Sequence, residues 1–183
     1  GDSDAIERAA KQVHDQNMSL SQGALAALNH CDHPARAIAL QAFHDRWQDS
    51  PLVMEKWFMM ESMSLVSGTV ARLGELMAHP AFDANNPNKL RSVLGAFMTG
   101  NPVHFYAEDG SGFDFIGDCL IDIDARNPQL AARMALPLTR RTQYAPARRA
   151  KMGAVLQKLQ QQAQSNDLRE VIDKALADGP SPV

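Results

Sequence analysis

Along its whole length the chain repeats one pattern: apolar residues three or four apart, cut at short intervals by residues that start or stop a helix. Three asparagine–proline pairs, Asn86-Pro87, Asn101-Pro102 and Asn127-Pro128, are the plainest of these cuts. Asparagine can cap a helix with its side chain, and proline suits the first helical position, where no N–H partner is required. Each pair therefore predicts a helix start.

The same reading places a first helix over 3–16 and a second whose start carries the Ser19–Gln22 spacing of a reciprocal capping box. A third helix begins at Asp32 and Pro34 and ends near Gln48, with Ile38, Ala42, Phe43 and Trp47 at helical intervals. The fourth follows Ser50-Pro51. It carries Leu52, Val53, Met54, Trp57, Phe58, Met59, Met60 and Met63 over so much of its circumference that burial on more than one side is expected. A fifth helix is expected near 66–78. After Asn86-Pro87 the stripe is Leu90, Val93, Leu94, Phe97 and Met98; after Asn127-Pro128 it is Leu130, Ala131, Met134 and Leu138, with Pro137 expected to kink the helix. The last two helices are placed at 146–163 and 167–177. No strand pattern or long linker intervenes, so the chain is expected to be all-α. Stacked antiparallel helices should form an irregular armadillo- or HEAT-like superhelical layer, because no fixed internal period supports a regular repeat array. We expect one helical domain over 1–177 and a frayed tail at 178–183.

With 183 residues and 45% hydrophobic content the chain can bury a core, and its 6% aromatic content suits helices built from alanine, leucine, methionine and glutamine. Lysine and arginine total 18 against 21 acidic residues, a net charge of -3 that argues against a nucleic-acid partner. Cys31 and Cys119 are too few for a disulfide framework and fit a reducing compartment. No apolar run reaches the roughly 18 residues of a membrane span, so a soluble, cytoplasmic chain without a membrane partner is expected. Gly1 in place of methionine suggests a processed chain or one excised from a longer polypeptide.

Chemistry-bearing motifs are sparse. None of the six histidines is followed by glutamate, so a His-Glu-x-x-His zinc motif is absent. His30, Cys31, Asp32 and His33 are consecutive and cannot all converge on one ion, which favours an ordinary turn with a cap. His14-Asp15 and His44-Asp45 read as solvated helix surface, since neighbours on a helix point in different directions. The Glu108–Gly112 loop lacks the lysine and spacing of a phosphate loop and reads as a turn. Arg140, Arg141, Arg148 and Arg149 read as exposed helix charges. Gln129 and Arg133, four apart, share one helical face, and Arg91 lies early in another helix. These could bind a carboxylate or peptide carbonyls, although solvated surface is the simpler reading from residue type alone.

Several segments in order, Leu52-Val53-Met54-Glu55-Lys56-Trp57-Phe58, Asn86-Pro87-Asn88-Lys89-Leu90-Arg91-Ser92, Ala107-Glu108-Asp109-Gly110-Ser111-Gly112 and Arg126-Asn127-Pro128-Gln129, resemble the C-terminal helical domain of bacterial aminopeptidase N. With the closing Lys174-Ala175-Leu176-Ala177 the resemblance runs from about 17 to 177. It implies a noncatalytic part of a zinc metallo-aminopeptidase that removes N-terminal residues from peptides, with the helices enclosing the cavity, gating it and orienting substrate. Zinc, its ligands and the general-base glutamate are then expected in the catalytic domain of the same polypeptide. No cofactor, metal ligand or catalytic residue is expected in this chain. Arg91, Gln129 and Arg133 match positions the resemblance places on the cavity wall, toward the substrate's C-terminal side. The alternative is a freestanding helical protein-interaction scaffold.

Overall fold

The computed structural model describes residues 2–177, and every regular element among them is helical. The tail expected at 178–183 lies outside the described residues. The chain divides into two compact units, one ending at Asn101 and one beginning at Pro102.

The first unit contains α1 (Ser3–Gln12), α2 (Met18–Leu28), α3 (Pro34–Trp47), α4 (Pro51–Ser62), α5 (Thr69–Met77), α6 (Pro87–Leu90) and α7 (Ala96–Gly100), with the π-helical segment Arg91–Gly95 joining the last two. Helices adjacent in sequence from α1 to α5 pack against one another, and α4 also meets α7 and the π segment. Leu25, Leu28, Phe43, Met54, Phe58, Leu73, Leu94 and Phe97 are buried between them. Each such side chain contributes about 1.5–3 kcal/mol by leaving water. The expectation that α4 is buried on more than one side holds only in part, although four elements pack on it. It buries Met54, Trp57, Phe58 and Glu61 but leaves Leu52 72% and Met59 42% exposed.

Several helix ends differ from the sequence reading, one through a distant group and the others through local caps. α1 stops at Gln12, short of 16: Arg46 Nη1, on α3, donates to the carbonyls of His14 (3.2 Å) and Asp15 (2.8 Å), and Asp15 Oδ1 accepts from Asn17 N–H at 2.7 Å. α2 begins one residue before Ser19 because Asn17 Oδ1 takes the N–H groups of Ser19 and Leu20. Gln22 accepts from Lys56 Nζ at 3.0 Å and so is engaged by α4. His33, not Asp32, caps α3, its Nδ1 accepting from Ala35 N–H at 3.1 Å. α5 starts only at Thr69, since Gly68 adopts the left-handed φ of 82°.

The second unit contains α8 (Pro102–Phe105), α9 (Ser111–Asp124), α10 (Pro128–Thr139), α11 (Pro146–Gln162) and α12 (Asn166–Ala177), with a 3-10 turn at Arg140–Gln143. α9 packs on α10 and α11, and α12 packs on the same two, which closes a ring of four helices. Phe113, Leu120, Leu138, Leu156 and Ile172 are fully buried there. The Asn-Pro reading holds at both outer pairs: Asn86 Oδ1 accepts from Asn88 N–H and Asn127 Oδ1 from Leu130 N–H. Asn101, fully buried, also donates from Nδ2 to the carbonyls of Ser62 and Ser64. Pro137 sits inside α10, which continues to Thr139; its missing N–H leaves the Arg133 carbonyl without the usual helical donor.

Three arginines expected as exposed charges are fasteners instead. Arg148 Nε donates to the Tyr106 carbonyl at 2.9 Å, Arg141 to the carbonyls of Ala175 and Leu176, and Arg149 to those of Thr142 and Tyr144. The Glu108–Gly112 segment is the expected turn. Asp109 Oδ1 accepts from Ser111 N–H and Oγ–H, while Gly110 takes a φ of 85° that leads into α9.

Candidate functional site

Burial of Leu130, Ala131, Met134 and Leu138 fixes the rotation of α10. The opposite face therefore presents Gln129, Ala132, Arg133 and Leu136, spaced by three and four, and both polar side chains are exposed. Between this face and Asp167, Glu170 and Val171 of α12 lies an open groove of about 580 Å³. A second depression of about 310 Å³ continues from Leu136, Glu170 and Val171 toward Lys174 and Ala175. The structure thus brings Gln129 and Arg133 onto one groove, opposite two carboxylates that the sequence had not singled out. Their spacing on α12, three apart, was the available signal.

Arg91 lies in the first unit. It is exposed, opens the π-helical segment, and donates from Nη1 to Asn88 Oδ1 at 3.2 Å. A π turn places one extra residue per turn and is often retained where a side chain must be re-aimed.

A further cluster in the first unit was not legible in the sequence. Glu61, 5% exposed, accepts from Arg36 at 3.2 Å and Arg72 at 2.8 Å; Arg72 also reaches Glu75 and lies 5.8 Å from the Trp57 ring. These side chains line a cavity of about 400 Å³ between α3, α4 and the start of α5. Both guanidinium groups are already engaged by Glu61, so the cluster reads as a structural brace.

Burial pushes the Cys119 thiol up to about 12, which suppresses its thiolate form. No group of three or more His, Cys, Asp or Glu side chains is placed to hold an ion among the described residues. No helix among the described residues is long and apolar enough to cross a membrane.

A domain family described as a domain of unknown function with ARM repeats, DUF3458_C, matches residues 1–177. The chain belongs to this family. The ARM-repeat description agrees with the all-α architecture expected from the helical punctuation. Aminopeptidase N of Escherichia coli K12 is 40% identical over 170 residues, covering 92% of this chain and 20% of that protein. Aminopeptidase N of Haemophilus influenzae is 37% identical over 169 residues, covering 90% and 19%. A crystal structure of Legionella pneumophila aminopeptidase A in complex with aspartic acid superposes with a TM-score of 0.90 at 29% identity, covering 95% of this chain and 21% of that one. This DUF3458_C chain therefore spans about a fifth of the length of its aminopeptidase relatives.

Proposed function

We propose that this chain is a noncatalytic part of a cytoplasmic zinc aminopeptidase that removes N-terminal amino acids from peptides, where it encloses the active-site cavity and gates and orients substrate. The similarity to aminopeptidase N over 92% of the chain is the observation that carries this reading. Zinc and the hydrolytic groups belong to the catalytic domain of the same polypeptide, which is the chain's first partner; peptide is the second. Exposed Ile38, Leu52 and Met59 are the kind of large apolar side chains that a covering domain would bury.

In this reading Arg91, Gln129 and Arg133 hold the substrate's C-terminal side. Arginine stays protonated and presents a planar fork of donors, so it positions a carboxylate without moving a proton. The Gln129 amide, one turn before Arg133 on the same face, can donate to the same carboxylate or to a peptide carbonyl.

The test is made in the full-length enzyme. Arg133→Ala and Arg91→Ala should each lower kcat/KM on short peptides by about tenfold to a hundredfold, the worth of one charge-assisted hydrogen bond. An amino-acid amide without a C-terminal carboxylate should be turned over as before. Equal kinetics on both substrates would reject the assignment, and peptide hydrolysis by the pure 183-residue chain would reject the noncatalytic role.

A further inference from the structure

His44 and His79, 35 residues apart in sequence, meet in the first unit with their Nε2 atoms 3.2 Å apart. His44 was expected on a solvated surface, yet only 16% of its side chain is exposed. The two rings sit edge to face, 5.2 Å between centroids, and share an aromatic enclosure with Trp57, Phe58 and Phe82.

The remaining nitrogens fix where the hydrogens are. His79 Nδ1 lies 3.1 Å from Ala81 N, and a backbone N–H can only donate, so this nitrogen is an acceptor. In the neutral ring the hydrogen must then be on Nε2, where it points at His44 Nε2. That nitrogen accepts, so His44 carries its own hydrogen on Nδ1 and donates it to Asp45 Oδ1 at 3.1 Å. The chain of donors is consistent in one direction only, from Ala81 through His79 and His44 to Asp45. A second proton on His79 would set Nδ1–H against Ala81 N–H; a second proton on His44 would set two Nε2–H groups against each other.

This arrangement also excludes a metal as the occupant. An ion between the two Nε2 atoms would have to displace the His79 hydrogen while Nδ1 still accepts, and no third ligand is placed there among the described residues.

We infer that His44 and His79 form a proton-sensitive latch, which holds the segment after α5 against α3 and α4 when both rings are neutral and releases it on acidification. Two of the charged groups near the pair, Arg72 and Lys89, favour the neutral form of His79. Arg72 reaches in from α5 and Lys89 from α6, where Lys89 Nζ lies 5.4 Å from the Phe58 ring; among the described residues Asp45 on α3 is the carboxylate bonded to the pair, and α4 contributes Trp57 and Phe58, which carry no charge. Burial, then His44, then Arg72 and Lys89 hold the His79 pKa below its ordinary 6.5. The folded state therefore binds fewer protons than the unfolded chain, and the latch is complete above pH 6.5 and lost as pH falls toward the depressed value.

The readout is the amide of Ala81 in the unmodified full chain. Its hydrogen-exchange protection factor should fall between pH 7.5 and 5.5, by up to about tenfold for one proton taken up at an ordinary imidazole on release, while buried amides of α4 keep theirs. Thermal unfolding of wild type, His44→Gln, His79→Gln and the double variant checks the coupling. The drop in midpoint from pH 7.5 to 5.5 should shrink in each single variant and shrink no further in the double. A constant Ala81 protection factor, or one acid-induced drop common to all four proteins, would overturn the latch.

Discussion

Glu61 shows how much one buried residue can carry. Its carboxylate is 5% exposed and receives a guanidinium on each oxygen, so its removal leaves Arg36 and Arg72 facing a cavity with less countercharge. Glu61→Ala should cost about 2–3 kcal/mol in urea unfolding, below the range for a fully buried pair because Arg72 keeps contact with solvent. Glu61→Gln, which retains an acceptor and the volume, should cost less; equal losses would mean that packing and not charge is at stake. At this scale the sequence revealed the short-range partners and hid the long-range ones. Asn86 and Asn127 were readable as caps because their targets lie two and three residues on. Arg46 ending α1 and His79 enclosing His44 were not, since no local pattern marks a partner more than thirty residues away.

Among elements, α12 depends on a device contributed by α9. Asp124, 2% exposed, accepts from the N–H groups of Gln164 (2.7 Å) and Ser165 (3.0 Å) and from Ser165 Oγ–H, ahead of the first turn of α12. Asp124→Ala removes these acceptors and leaves the N–H groups of exposed Gln164 and half-buried Ser165 to water. Stability should fall by about 1–2 kcal/mol, and amide exchange should quicken first over 163–177. Unaltered exchange there would show that packing alone holds α12. Gly112 constrains the same unit differently. A Cβ at this position would lie 2.7 Å from the Phe105 carbonyl and closer still to that of His104, so Gly112→Ala must push α8 and α9 apart. A loss of about 1–3 kcal/mol in thermal unfolding is expected, because backbone atoms cannot swing aside as a side chain does. The two glycines of this segment were legible in the sequence as turn signals, but the reason for the second, contact with a carbonyl, was not.

For the molecule as a whole, periodicity and helix punctuation sufficed for the all-α class. What they could not assign was the outward side of each helix when nearly every side of it is apolar. α4 is the clear case: eight large apolar residues predicted enclosure, yet Leu52 faces out with 72% exposure, as does Ile38 on α3 with 67%. Hydrophobicity records that a residue is suited to burial, not which chain buries it. If those two side chains serve only this fold, their replacement by charge should be almost free, since they leave little water when it forms. Leu52→Glu and Ile38→Lys should each change the unfolding free energy of the 183-residue chain by less than about 0.5 kcal/mol. In the longer enzyme proposed above, the same changes would place a charge in a covered apolar contact. There they should lower the melting temperature and the yield of active protein, whereas a surface change such as Glu7→Gln on α1 should do neither. Loss of stability already in the 183-residue chain would assign both side chains to its own core, and unchanged behaviour in the longer enzyme would show that no neighbouring domain rests on them.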